Sequence, residues 1–144
     1  MPFVFRQAGA LLLVAVVPAL YAATFHPREP AWSKDRILAP EVTWGTVQEW
    51  QRLVLLIDTR SAADFARGHI PGALSLSEGQ WERQLPALIN AWQPGARMVV
   101  YCANPNCGTS QSVARRLRSE LGIKSVFVLK GGWGAWIDAQ KQKK

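Results

Sequence analysis

Cysteine and histidine are scarce in this sequence, with two of each among 144 residues. Two cysteines cannot build the multi-bridge framework of a small disulfide-stapled fold, and two thiols with two imidazoles form no recognisable zinc set. No metal and no cofactor is expected. Acidic residues are also few, 10 against 17 lysines and arginines, for a formal charge of +7. Much of that excess falls at Arg97, Arg115, Arg116, Arg118, Lys124 and Lys130 and in the closing KQKK. These cations are not interleaved with aromatics as in a nucleic-acid-binding module, so no nucleic-acid partner is expected. Residues 141–144 read as a solvated basic tail. Internal repeats are missing too. What is present is a globular composition, 49% hydrophobic and 19% charged, on a chain long enough for one domain with a real core.

Charge is absent altogether from residues 8–25, AGALLLVAVVPALYAATF, which follow Arg6 and precede HPREP. A run of that length reaches the lower limit for a membrane span and exceeds a usual signal h-region. Pro18 interrupts it, which a membrane helix tolerates. The expectation is one N-terminal hydrophobic helix (residues 1–25, anchor or signal segment), a Pro-rich linker over residues 26–40, and a folded domain over residues 41–140. The domain is then membrane-anchored on the extracytoplasmic (periplasmic) side, or secreted if small residues 19–23 mark a cleavage site. Arg28, Lys34 and Arg36 after the run argue for the opposite orientation.

Within the domain, helical and strand signals alternate. TWGTVQEWQRL (residues 43–53) offers a cap at Thr43 and helical spacing, and LVLLID (53–58) is a continuous β-prone run of the kind buried on both faces. Ser61 and Asp64 resemble a capping box, Pro71 and Gly72 punctuate a turn, and ALSL is a short strand candidate. GQWERQLPALINAW (79–92) reads as helix limited by Pro86, and RMVVYC (97–102) as the second strong strand. SQSVARRLRSELG (110–122) sets Val113, Leu117 and Leu121 on one face with Gly122 closing the helix. SVFVLKGG (125–132) is a third strand and WGAWIDAQ a final helix. This alternation predicts an α/β fold with a mainly parallel sheet. Trp44, Trp50, Trp81 and Trp92 fall in helical segments as core or lid residues, and His69 reads as structural.

Cys102 ends the second strong strand, and the small, turn-forming loop Ala103, Asn104, Pro105, Asn106, Cys107, Gly108, Thr109 and Ser110 follows it into a helix. In a parallel sheet, ligands bind beyond the carboxyl ends of the strands. A loop of this composition can curl its N–H groups inward around an anion, and the helix N-terminus adds positive potential. A cysteine held there is biased toward thiolate, the nucleophilic form. His26 lies in the linker and His69 in a turn, so no Cys–His pair is indicated.

LLIDTR (55–60), F-x-x-GHIPGA (65–73), VVYC (99–102) and VFVLKGGWGAW (126–136), taken in this order, resemble a single-domain rhodanese homology module. The resemblance implies a parallel α/β sheet with helices on both faces and a catalytic Cys102. It also implies sulfur transfer through a Cys102 persulfide, from a small sulfane-sulfur donor to a thiol or cyanide-like acceptor. Asp58 and Arg60 match the family's Asp-x-Arg element as scaffold, and Gly131, Gly132 and Trp133 match its Gly-Gly-Trp turn, with Trp133 a candidate pocket wall. The family loop commonly carries an arginine before the helix, whereas this one has none before Arg115. A phosphatase needs that arginine and ranks last. Two other readings stay open: Cys102 and Cys107 as a thiol–disulfide redox pair, and a non-catalytic binding or scaffold module.

Overall fold

The three apolar runs become the three inner strands of a five-stranded, all-parallel sheet. The computed structural model describes residues 38–50, 53–104 and 107–142. The expected hydrophobic helix (8–25) and linker as far as residue 37, with Pro105, Asn106, Lys143 and Lys144, lie outside the described residues. Among those described, no helix is long and apolar enough to cross a membrane.

In chain order the elements are β1 (Glu41–Val42), α1 (Trp44–Glu49), β2 (Val54–Asp58), α2 (Ala62–Arg67) and β3 (Leu74–Ser75), a 3-10 turn at Glu78–Gln80, and then α3 (Trp81–Ala91), β4 (Arg97–Tyr101), α4 (Gly108–Glu120), β5 (Val126–Leu129) and α5 (Gly132–Lys141). The strands lie in the order β1-β5-β4-β2-β3, with Leu56 opposite Val99 and Val99 opposite Phe127. All carboxyl ends therefore open on one edge, where a parallel sheet places its ligands.

Strand alternation sorts the core into two halves. Ile57, Met98, Val100, Val126 and Val128 face one side, packed with Trp81 and Leu88 of α3 and Val113, Ala114 and Leu117 of α4. Val99, Tyr101 and Leu129 face the other, packed with Val47 of α1, Phe65 of α2 and Trp133 and Trp136 of α5. Helices thus cover both faces, which is why the inner strands are apolar without a polar side.

Local chemistry sets the ends. The Thr43 hydroxyl accepts from the Thr46 N–H at 3.3 Å, and the Ser61 hydroxyl accepts from the Asp64 N–H at 3.0 Å. Both are N-caps of the expected kind. The Ala73 N–H returns to the Ile70 carbonyl across Pro71 and Gly72, and Gly72 takes φ 81°, closing a tight turn. Gly122, at φ 67°, ends α4.

Three boundaries differ from expectation. The first helix stops at Glu49 with Trp50 as its C-cap, short of residue 53. The helix after the cysteine loop begins two residues early, at Gly108, because Cys107 takes the extended cap conformation. Lys141 belongs to the last turn of α5 and pairs with Asp138 at 3.2 Å, so the helix runs one residue into the expected basic tail.

Candidate functional site: the Cys102 loop

Cys102 sits immediately beyond β4 at the carboxyl edge of the sheet and is 6% exposed. Tyr101 before it is fully buried, and its hydroxyl accepts the Ile70 N–H at 3.2 Å, tying β4 to the 68–73 turn. Burial raises the Tyr101 pKa well above the ordinary phenol value, so this residue is a neutral strut. Thr59 closes the neighbouring strand end, donating both its N–H (2.9 Å) and its hydroxyl (3.0 Å) to the Tyr101 carbonyl.

The loop is docked from the other side by the turn between β5 and α5. The Trp133 N–H donates to the Cys102 carbonyl at 2.8 Å. Gly132, at φ 55°, makes this approach possible: a Cβ there would stand 2.3 Å from the Cys102 carbonyl oxygen. Glycine is required twice over, once by the left-handed backbone and once by the contact. Gly132→Ala is expected to push the loop away and cost about 1–3 kcal/mol, as overpacking does. Denaturant melts and sulfur-transfer rates of the variant check this, and wild-type values for both would contradict the docking role.

Cys107 lies at the N-cap of α4, partly exposed. Its N–H donates to the Asn104 carbonyl at 3.3 Å and its own carbonyl accepts from the Ser110 hydroxyl at 3.0 Å. Cys102 and Cys107 are joined as a disulfide, with Cα atoms 6.2 Å apart. The loop expected to cradle an anion is therefore also closed by a crosslink between its two cysteines. Ser110 is buried and turns its proton back onto the loop backbone, so it stiffens the loop rather than offering a donor to a ligand. The amides of Gly108, Thr109 and Ser110 belong to the first turn of α4 and have no intrahelical acceptor, which leaves them suited to an anion. Ala103 and Asn104 are exposed, while Pro105 and Asn106 lie outside the described residues.

Asp58 and Arg60 form a buried ion pair at the loop end of β2, with contacts of 2.8 to 3.1 Å between guanidinium and carboxylate. Arg60 also donates to the Gly68 carbonyl at 2.6 Å and stacks over the Trp133 ring at 4.1 Å. Burial opposes the guanidinium charge, but the hydrogen bonds and charge of Asp58 outweigh it and raise the Arg60 pKa. Arg60 thus joins β2, the 68–73 turn and the α5 turn. The sequence marks Asp58 and Arg60 as scaffold at a strand end, but this link between three separate motifs was not readable from it. Trp133 packs at a tilt against Trp136 (ring centroids 4.7 Å apart) and, with Arg60, Asp64, Arg67 and Gly68, lines an open cavity of about 280 Å³. His69 stacks on Phe65 at 3.9 Å and its Nδ1 lies 3.0 Å from the Phe65 carbonyl, a local structural role.

The comparisons with known proteins agree with this architecture. Residues 43–139 match the Rhodanese-like domain family. The chain is 31% identical over 86 residues to the thiosulfate sulfurtransferase GlpE of Shewanella oneidensis, covering 60% of this chain and 78% of that protein. Among solved structures, a thiosulfate sulfurtransferase from Pseudomonas aeruginosa superimposes with a TM-score of 0.59 at 26% identity, over 71% of this chain and 18% of that one. The BH2092 protein of Bacillus halodurans shares the fold, with a TM-score of 0.57 at 20% identity over 71% of this chain and 74% of that one. With its parallel sheet, its cysteine loop beyond β4 and a family match spanning most of the described residues, this chain belongs to the rhodanese-like domain family.

Proposed function

We propose that the domain is a sulfurtransferase in which Cys102, once reduced, carries sulfane sulfur as a persulfide. The observation behind this reading is the seat of Cys102: a buried cysteine at the carboxyl edge of the sheet, its carbonyl held by Trp133 and the N-terminus of α4 beside it. The thiosulfate sulfurtransferase named among its relatives supports the substrate class. In the first step the Cys102 thiolate attacks the outer sulfur of a donor such as thiosulfate, the S–S bond of the donor breaks, and sulfite leaves with the electron pair. The first-turn amides of α4 favour both the thiolate and the anionic persulfide. The persulfide then gives its outer sulfur to cyanide or a thiol.

The loop supplies no arginine and Ser110 spends its proton on the Cys107 carbonyl, so a dianionic donor meets amides rather than a cation. Weak saturation by thiosulfate follows. We further propose that residues 8–25 tether the domain to a membrane with the domain on its extracytoplasmic side. Their uncharged composition and the pairing of the cysteines, which an oxidising compartment favours, support this.

The disulfide makes activity conditional. Oxidised protein is expected to move no sulfur from thiosulfate to cyanide, and protein reduced and freed of reductant is expected to do so. A colorimetric thiocyanate assay on both forms checks this. A reduced form no faster than buffer, with several sulfane donors, would exclude the enzyme.

A further inference from the structure

The pairing of Cys102 with Cys107 assigns the loop a second outcome beyond transfer to an external acceptor, and this inference rests on the persulfide reading above. We infer that Cys107 is a resolving thiol that discharges the Cys102 persulfide as hydrogen sulfide, making the domain a sulfane-sulfur reductase. The two sulfurs bond within this backbone, and the Cα separation of 6.2 Å lies inside the range that a disulfide spans. Both ends are held for that encounter. Cys102 is fixed through its carbonyl by Trp133, and Cys107 through its N–H by Asn104 and through its carbonyl by Ser110. Cys107 also caps α4, where the helix N-terminus favours its thiolate.

The step balances without an outside oxidant. The Cys107 thiolate attacks Sγ of Cys102, forming the Cys102–Cys107 bond. The bond between Cys102 Sγ and the outer sulfur breaks, and the outer sulfur leaves with the electron pair, taking up the proton that the Cys107 thiol lost. Sulfane sulfur is reduced to sulfide, and the two cysteines are oxidised to the disulfide that the structure holds. A dithiol reductant completes the cycle by exchange. Its point of entry is Cys107, the more exposed residue of the pair, while Cys102 is buried and becomes the leaving thiol.

The test uses the full chain, reduced, desalted without air, and mixed with thiosulfate in the absence of any other thiol. The expected result for wild type is up to one sulfide released per chain, with the protein mass falling by two hydrogens. Cys107→Ser is expected to gain one sulfur and release no sulfide. Wild type that keeps its added sulfur, or forms the disulfide without releasing sulfide, would overturn the inference while leaving persulfide transfer intact. If Cys107→Ser takes up no sulfur from any sulfane donor, the persulfide reading fails and the inference falls with it.

Discussion

Cys102→Ser is expected to reduce sulfur transfer by the reduced domain to the uncatalysed background, a loss on the order of 1,000-fold or more, as for removal of a covalent nucleophile. A serine hydroxyl is scarcely ionised at neutral pH and forms no stable equivalent of the persulfide, so the intermediate itself disappears. In the oxidised protein the substitution also removes the Cys102–Cys107 crosslink, which for so short a loop contributes roughly 2 kcal/mol. Cys107→Ser removes the same crosslink and keeps the nucleophile. Comparing thiocyanate formation by the two variants therefore separates chemistry from stability. Equal rates in Cys102→Ser and wild type would place the chemistry elsewhere.

The second large effect is on the fold. Asp58→Ala strands the Arg60 guanidinium, whose side chain is 7% exposed, without its carboxylate. Removing one partner of a buried ion pair costs about 3–5 kcal/mol, because the remaining charge is left uncompensated. Arg60 also holds the Gly68 carbonyl and the Trp133 ring, so the loss spreads to the turn that docks the Cys102 loop. Asp58→Ala combined with Arg60→Met is expected to be less damaging than the sum of the two single changes. A double-mutant cycle by urea denaturation checks this. A loss below 1 kcal/mol for Asp58→Ala would remove the pair from its scaffolding role.

The inner strands were legible because burial on both faces leaves an unbroken apolar run, as at 54–57, 98–101 and 126–129. Alternation then told nothing about which residue faces which helix layer, since both sides are apolar. The caps at Thr43 and Ser61 were legible because side-chain oxygen chemistry acts within three residues. The edge strand β1 was not: two residues, Glu41 and Val42, carry no periodicity and pair only because β5 offers a free edge. At the site, Cys102 could be singled out from its place between an apolar run and a glycine-bearing loop. The need for glycine at 132 could be read only as turn freedom, because the close approach of the Cys102 carbonyl belongs to tertiary structure. Ser110 illustrates the same limit. A hydroxyl at a helix start suggests a ligand donor, yet here it serves the Cys107 carbonyl. Likewise, two cysteines five residues apart are compatible with pairing, but only the fold around them brings the sulfurs together.

The central claim is that Cys102 carries sulfur. Its most direct test is the intact mass of reduced Cys107→Ser protein after incubation with thiosulfate, followed by peptide mapping, since this variant cannot resolve the intermediate through the loop. The account predicts a gain of one sulfur atom located on Cys102. An unchanged mass with thiosulfate and with other sulfane donors would contradict it.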